Sequence, residues 1–341
     1  MAPLHRHAWL RVFAVGKGFF LSPLRWRAAG ALTAILALLL TLNALNVANS
    51  YVGRNFMTAI AQRDGAQYFR FAVLYIGVFA ASTVTGVSQQ FVQDRLALSW
   101  RDWLTRHLID RYLSAHTFAR IRARTDIDNP DQRIAEDVRT FTGTLMSFVV
   151  MIANSTLTTV AFAGVLWSIT PLLLVTAVLY AALGSVVTVL LGHRLVSLDN
   201  HQFKKEADLR YGLIHVREHG DAREGRRILA RLRRVVHNSR AIIGVTRNVG
   251  FFTSGYNYLV QILPILIVAP RYLRGTIEFG VVTQSAMAFA QLLGAFSLIL
   301  VQFQSISAFA AVARRLGSLL EAMDAVGPEA IHGMLVSGAR T

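Results

Sequence analysis

Cysteine is absent from this chain of 341 residues, which excludes a disulfide framework, a thiolate metal site and thiol redox chemistry. Acidic residues are few, 19 Asp and Glu against 35 Lys and Arg, and none lies within the longest apolar runs. A proton-driven carrier needs protonatable groups in or beside its pathway, so their scarcity there weighs against that mechanism. No G-x-x-x-x-G-K-[ST] phosphate loop occurs; Gly16-Lys17-Gly18 has neither the upstream glycine nor the following hydroxyl residue. The two longest stretches between apolar runs lack the Gly, Ser and Pro content of flexible linkers.

What is present in quantity is apolar. The sequence is 54% hydrophobic and only 16% charged, with a mean hydropathy of +0.44, beyond the usual range of a soluble domain. Six runs can each cross a hydrocarbon core of about 30 Å: Ala28–Ala48, Phe69–Gln90, Thr144–Trp167, Pro171–Gly192, Gly250–Ala269 and Phe279–Ala310. The formal charge of +16 does not indicate nucleic-acid binding, because the basic residues alternate by loop. They crowd the N-terminal segment, Arg95 to Arg139 and Arg194 to Arg247, and are sparse in Ser50–Tyr68, Ser168–Thr170 and Arg271–Glu278. That bias predicts both termini and both long excursions on the cytoplasmic side, facing anionic lipid and a protein partner.

Within the excursions the pattern is helical. Ile228, Leu229, Leu232, Val235 and Val236 recur opposite Arg226, Arg227, Arg231, Arg233 and Arg234, so helices are expected to run out of the membrane. His7–Phe20 is amphipathic enough to form an elbow on the membrane surface. The most specific stretch is Ile127 to Val138. Asn129 is placed to cap a helix, Pro130 suits its first position, and Gln132 sits where a capping-box side chain reaches back to the cap.

Asp128-Asn129-Pro130-Asp131-Gln132-Arg133-Ile134-Ala135-Glu136-Asp137-Val138, with Phe141 after it, resembles the signature of the second class of ABC transporter membrane domains. That class groups SbmA/BacA-like bacterial peptide and cobalamin transporters with peroxisomal acyl-CoA transporters. Asn55 to Asp64, Trp100 to Thr105, Phe251 to Tyr256 and Ala269 to Tyr272 resemble further family stretches in the family's order. The resemblance implies an all-α, six-helix ABC exporter-type transmembrane domain with long cytoplasmic helix extensions. It also implies a dimer in the bacterial inner membrane around one translocation pathway. Each inner excursion would turn on a coupling segment that docks on a nucleotide-binding domain: Asp128, Asn129, Pro130, Asp131, Gln132 and Arg133 in the first, Glu218, His219 and Asp221 in the second. After Asp221 the family's usual continuation is missing, a gap of roughly two helical turns.

The expected division is residues 1–27 as N-terminal segment with elbow, 28–315 as transporter domain and 316–341 as a short cytoplasmic tail. Neither a phosphate loop nor an S-G-G-Q signature occurs. The chain by itself is therefore expected not to hydrolyse ATP; the resemblance brings in ATP and Mg only through a partner domain in trans or missing. No metal site is expected. Uncharged polar residues fall in rows, Asn43 and Asn46 on one helix face, Asn257 and Gln261 on another, Gln284, Gln291 and Gln302 on a third. They either line the pathway of a bulky polar solute or bond neighbouring helices. The favoured function is a solute-translocating membrane subunit, moving a peptide, a cobalamin-like compound or an acyl compound. An ATP-independent, proton-coupled SbmA/BacA-like importer and a truncated, non-transporting remnant are the alternatives.

Overall fold

The computed structural model describes residues 18–19, 22–114, 117–122, 128–219, 225–301 and 303–326. The proposed elbow, apart from residues 18–19, lies outside these, as do Asp221, Gln302 and residues 327–341. The described residues are all-α, as the apolar periodicity required. In chain order the helices are α1 (Arg25–Gln62), α2 (Gly65–Leu113), α3 (Thr117–Arg122), α4 (Pro130–Ile169), α5 (Pro171–His219), α6 (Gly225–Leu273), α7 (Phe279–Val301) and α8 (Phe303–Val326).

Six of them are long and apolar enough to cross a membrane. At 49 residues each, α2, α5 and α6 are about 74 Å long at 1.5 Å per residue, over twice the hydrocarbon thickness. They therefore continue well outside it. On α2, Phe69, Val73, Ile76, Phe79, Val84 and Val87 are all exposed. A row of large apolar groups that long belongs against lipid or another subunit.

Two compact units divide the chain, one formed by residues 1–161 and 298–341, the other by residues 162–297. In the first, α1 and α2 are joined by a two-residue turn. Arg63 ends α1 in the left-handed region (φ 58°), with the amide N–H groups of Arg63 and Asp64 donating to the carbonyls of Ile60 and Ala59. Asp64 then caps α2, accepting from the amides of Ala66 and Gln67 at 3.1 and 3.0 Å. The unit's core gathers Leu104 and Leu108 of α2, Val138 and Phe141 of α4, and Leu316, Leu319, Leu320 and Met323 of α8. Phe141 stacks on Phe309 at 5.5 Å and meets Trp100 edge-on at 5.9 Å. Full burial of each such side chain contributes roughly 1.5–3 kcal/mol.

Those leucines correct two boundaries. The sixth apolar run does not form one helix to Ala310 but is divided between α7 and α8, and the division expected at Arg315 falls inside α8. Residues 316–326 are helix, one face of which is buried. A charged pair, Arg314 and Arg315, looked like the end of the apolar domain, yet the apolar period resumes directly after it at Leu316, Leu319 and Leu320.

In the second unit, α5 and α6 lie side by side. Near the apolar end, Tyr180 and Tyr256 stack at 4.3 Å. The Tyr180 hydroxyl donates to the Tyr256 carbonyl at 2.8 Å, and that of Tyr256 more loosely to the Tyr180 carbonyl at 3.4 Å. Gly184 makes room for this pair: a Cβ there would lie 2.4 Å from Cε2 of Tyr256. Gly184→Ala is expected to lower stability by about 1–3 kcal/mol, as overpacking does. Thermal unfolding of the purified protein measures it, and Tyr256→Leu in the same background should restore most of the loss.

Further along, outside the apolar runs, buried Asn238 donates to the Leu198 carbonyl and to Gln202 at 3.0 and 2.8 Å and accepts from Lys205 at 3.0 Å. At the other end, Arg271 donates to the Ile169 carbonyl at 3.0 Å.

Candidate coupling site

Chain entry into α4 is set by the Asn129–Pro130 pair. A residue before proline is kept out of the right-handed helical region, and Asn129 takes the left-handed one instead, with φ 46° and ψ 62°. Asparagine tolerates that conformation better than most residues. The capping reading is corrected accordingly. Asn129 occupies the cap position and Pro130 the first helical one, but the Asn129 side chain makes no capping hydrogen bond. A side chain reaches the amides of the second and third helical residues from extended backbone, and left-handed backbone turns it away. Gln132 does not close a capping box either; its amide donates forward to Glu136 at 3.2 Å.

The next five residues, Arg133–Asp137, form a π-helical turn in which the Val138 amide reaches back to the Arg133 carbonyl. Such wide turns are rare and concentrate at functional positions. Here the turn has two faces. Arg133, Ile134 and Asp137 are buried, whereas Asp128, Asn129, Asp131, Gln132, Ala135 and Glu136 are exposed.

Its buried face is fastened to α8. Arg133 donates from Nε to the Asp128 carbonyl at 3.0 Å, and from one terminal nitrogen to the Arg315 carbonyl at 2.9 Å and the Ser318 hydroxyl at 2.7 Å. Arg315 forks onto the Asp137 carboxylate with bonds of 2.8 and 2.6 Å, the bidentate geometry that gives arginine its strongest carboxylate contacts. That hydrogen bonding pushes the Arg315 pKa further up. Farther along α8, Asp324 pairs with Arg111 of α2. Arg133 thus spends its guanidinium inside its own unit, while Asp131 and Gln132 stand outward.

Sequence spacing does not pair Asp137 with Arg315, 178 residues away, nor Arg133 with Ser318. The buried positions 133, 134, 137, 138 and 141 do carry a helical period. That period was the available signal that Arg133 and Asp137 face inward.

Beside this turn runs a groove of about 660 Å³ lined by Glu136, Arg139, Thr140, Thr144, Ser147 and Ser305 among others. Small hydroxyl residues supply its polarity, and a search for amides overlooked them.

Of the second coupling segment, Glu218 is exposed near the end of α5, in the other unit. His219 ends that helix, and its side chain lies outside the described residues, as does Asp221.

The polar rows of the spans divide. Asn43 is buried: its amide donates to Asn154 at 3.1 Å and to the Leu39 carbonyl at 3.0 Å, and its oxygen accepts from the Thr158 hydroxyl at 2.8 Å. It bonds α1 to α4, the helix-bonding alternative rather than the lining one. Asn46 is half-buried and Gln284 buried, whereas Asn257, Gln261 and Gln291 are exposed on their helices.

Membrane-length helices that continue far beyond the bilayer, with a rigidly held, outward-facing turn at the base of one of them, define a multi-pass membrane protein built to meet a partner outside the membrane. The chain belongs to the ABC transporter transmembrane region 2 family, whose model matches residues 17–273. Similar proteins include ABC transporter D family member 2, chloroplastic, of Arabidopsis thaliana, 38% identical over 93% of this chain and 46% of that protein. An uncharacterized ABC transporter ATP-binding protein of Synechocystis is 34% identical over 88% of this chain and 47% of its own length. The human lysosomal cobalamin transporter ABCD4 is 27% identical over 69% of this chain and 41% of that protein. The chain spans about half the length of the first of these relatives.

Proposed function

We propose that two copies of this chain form the membrane pathway of an ABC transporter, moving a bulky polar or amphiphilic solute by alternating access while ATP is hydrolysed on associated nucleotide-binding domains. The observation that carries the reading is the turn at Asp128–Asp137. Its outer face offers Asp131, Gln132 and Glu136, and its inner face is bonded to α8 through Arg133 and Asp137. A push on the outer face is therefore delivered to two helices at once. A peptide, a corrinoid or an acyl compound is the solute class; the printed description of the human relative, a cobalamin transporter, supports the corrinoid among them.

The proposal places the chain in a bacterial inner membrane with both long excursions and both termini on the cytoplasmic side, supported by the basic bias of those segments. Because the natural sequence has no cysteine, each introduced one is a unique label. Cysteines replacing Gln62, Ser168 and Thr276 should react with an impermeant thiol reagent added outside, and those replacing Arg122 and Arg226 should not. In proteoliposomes, solute movement should require the ATP-binding partner and ATP, and should survive an uncoupler. Movement driven by an imposed pH gradient with this chain alone would replace the proposal by a proton-coupled importer. No movement under either condition, with the partner bound, would leave a non-transporting membrane remnant.

A further inference from the structure

Beside the start of α1 lies a cavity of about 500 Å³, formed within the first unit by residues around Phe19, the first turns of α1 and the middle of α2. Its volume falls within the roughly 300–1,000 Å³ of small-molecule sites. Phe19, Phe91 and Leu96 give it apolar walls; Arg27, Arg95 and Ser99 give it a polar rim. No carboxylate lines it. Arg27 and Arg95 make no ion pair among the described residues, and the nearest acid in sequence, Asp94, accepts from Gln90 at 2.9 Å.

The level of the two arginines is set by the apolar runs. Arg27 directly precedes the run that begins at Ala28, and Arg95 follows the run that ends at Gln90. Since α1 and α2 are joined by a tight turn at Arg63–Asp64, these two ends meet at the same membrane face. Trp26, 76% exposed with Arg25 against its ring, sits where interfacial tryptophans sit, at headgroup depth. An apolar recess at that depth, rimmed by two unpaired cations, matches a phosphate with acyl chains below it. Basic pockets between membrane helices take anionic lipid headgroups for the same reason.

From this we infer that the cavity is a binding site for one anionic glycerophospholipid, its phosphate between Arg27 and Arg95 and its first acyl carbons against Phe19, Phe91 and Leu96. The inference rests on the chain being a membrane protein and not on the coupling role of the Asp128–Asp137 turn.

The test is native mass spectrometry of the full chain extracted from bilayers containing equal phosphatidylglycerol and phosphatidylcholine. One phosphatidylglycerol per chain should survive delipidation, with at least tenfold preference over phosphatidylcholine. Arg27→Gln with Arg95→Gln should reduce that preference to near one; both side chains are exposed and free of ion pairs, so the fold should persist. Arg27→Lys with Arg95→Lys should keep most of it.

Ala31→Phe fills the recess without removing charge and should also abolish retention, while Arg240→Gln, a remote exposed arginine, should change nothing. If the Ala31 variant does not fold, Ser99→Phe fills the same space from α2. Retention unchanged in the arginine or the filled variants overturns the inference, as does equal loss in Arg240→Gln, which would mean general attraction of anionic lipid. Displacement by millimolar glycerol phosphate as complete as by lipid would also overturn it, in favour of a free-phosphate site.

Discussion

Asp131→Arg combined with Gln132→Ala is expected to abolish solute-stimulated ATP turnover in the assembled transporter, a loss of at least a hundredfold in coupled transport, while the protein still inserts and pairs. Both side chains are exposed, and the only printed contact either would lose is the Gln132 to Glu136 bond on the surface. Surface changes of this kind usually alter stability by less than about 0.5 kcal/mol. A docking contact is different, because reversing one charge sets like against like at a desolvated interface. The pair of measurements is therefore a thermal unfolding midpoint, which should stay put, and the ATPase rate with and without solute, which should become equal. Full stimulation in the double variant would make Asp131 and Gln132 ordinary solvated residues of a helix start.

Arg133→Ala should do the reverse and damage the fold first. Its guanidinium serves the Asp128 and Arg315 carbonyls and the Ser318 hydroxyl, and hydrogen bonds to a charged group are worth about 1.5–3 kcal/mol apiece. These three share one side chain and will not add, so a loss of about 3 kcal/mol is expected. Arg133→Lys should recover only part of it, since an ammonium has no planar fork to divide among three acceptors on two segments. Arg315→Gln is the milder probe, costing about 2 kcal/mol because Asp137 loses a bidentate partner. Arg315 is itself half exposed, and water moderates the cost. Coupled transport should fall in all three variants, and in Arg315→Gln by more than the folded fraction alone explains. A fall in strict proportion to the folded fraction would make the tie to α8 purely structural.

Much of this protein was legible before folding. Six runs of apolar residues with a helical period specify six crossing helices, since a backbone in hydrocarbon must satisfy its own hydrogen bonds and a helix does so within one segment. Pro130 marks a helix start for an equally local reason: proline has no amide hydrogen to lose there. Asp64 was readable in the same way, a carboxylate directly before an apolar helical run, although its value as a cap went unnoticed among residues quoted for their likeness to a family.

What tertiary structure alone decided is which polar side chains face inward and whom they meet. Asn43 reads equally as pathway lining or helix glue until Asn154 and Thr158, more than a hundred residues on, are brought against it. Arg133 reads as a docking cation until the Arg315 carbonyl and Ser318 arrive from α8. Even the rotation of Asn129 follows from where its chain must go, because α4 has to meet α8 along the face that carries Val138 and Phe141. Helix existence is fixed by neighbours four residues away, and sequence carries those neighbours in plain order. The partner of a buried polar group is fixed by a contact hundreds of residues apart, chosen only when the apolar faces have packed and water has been excluded from the groups between them.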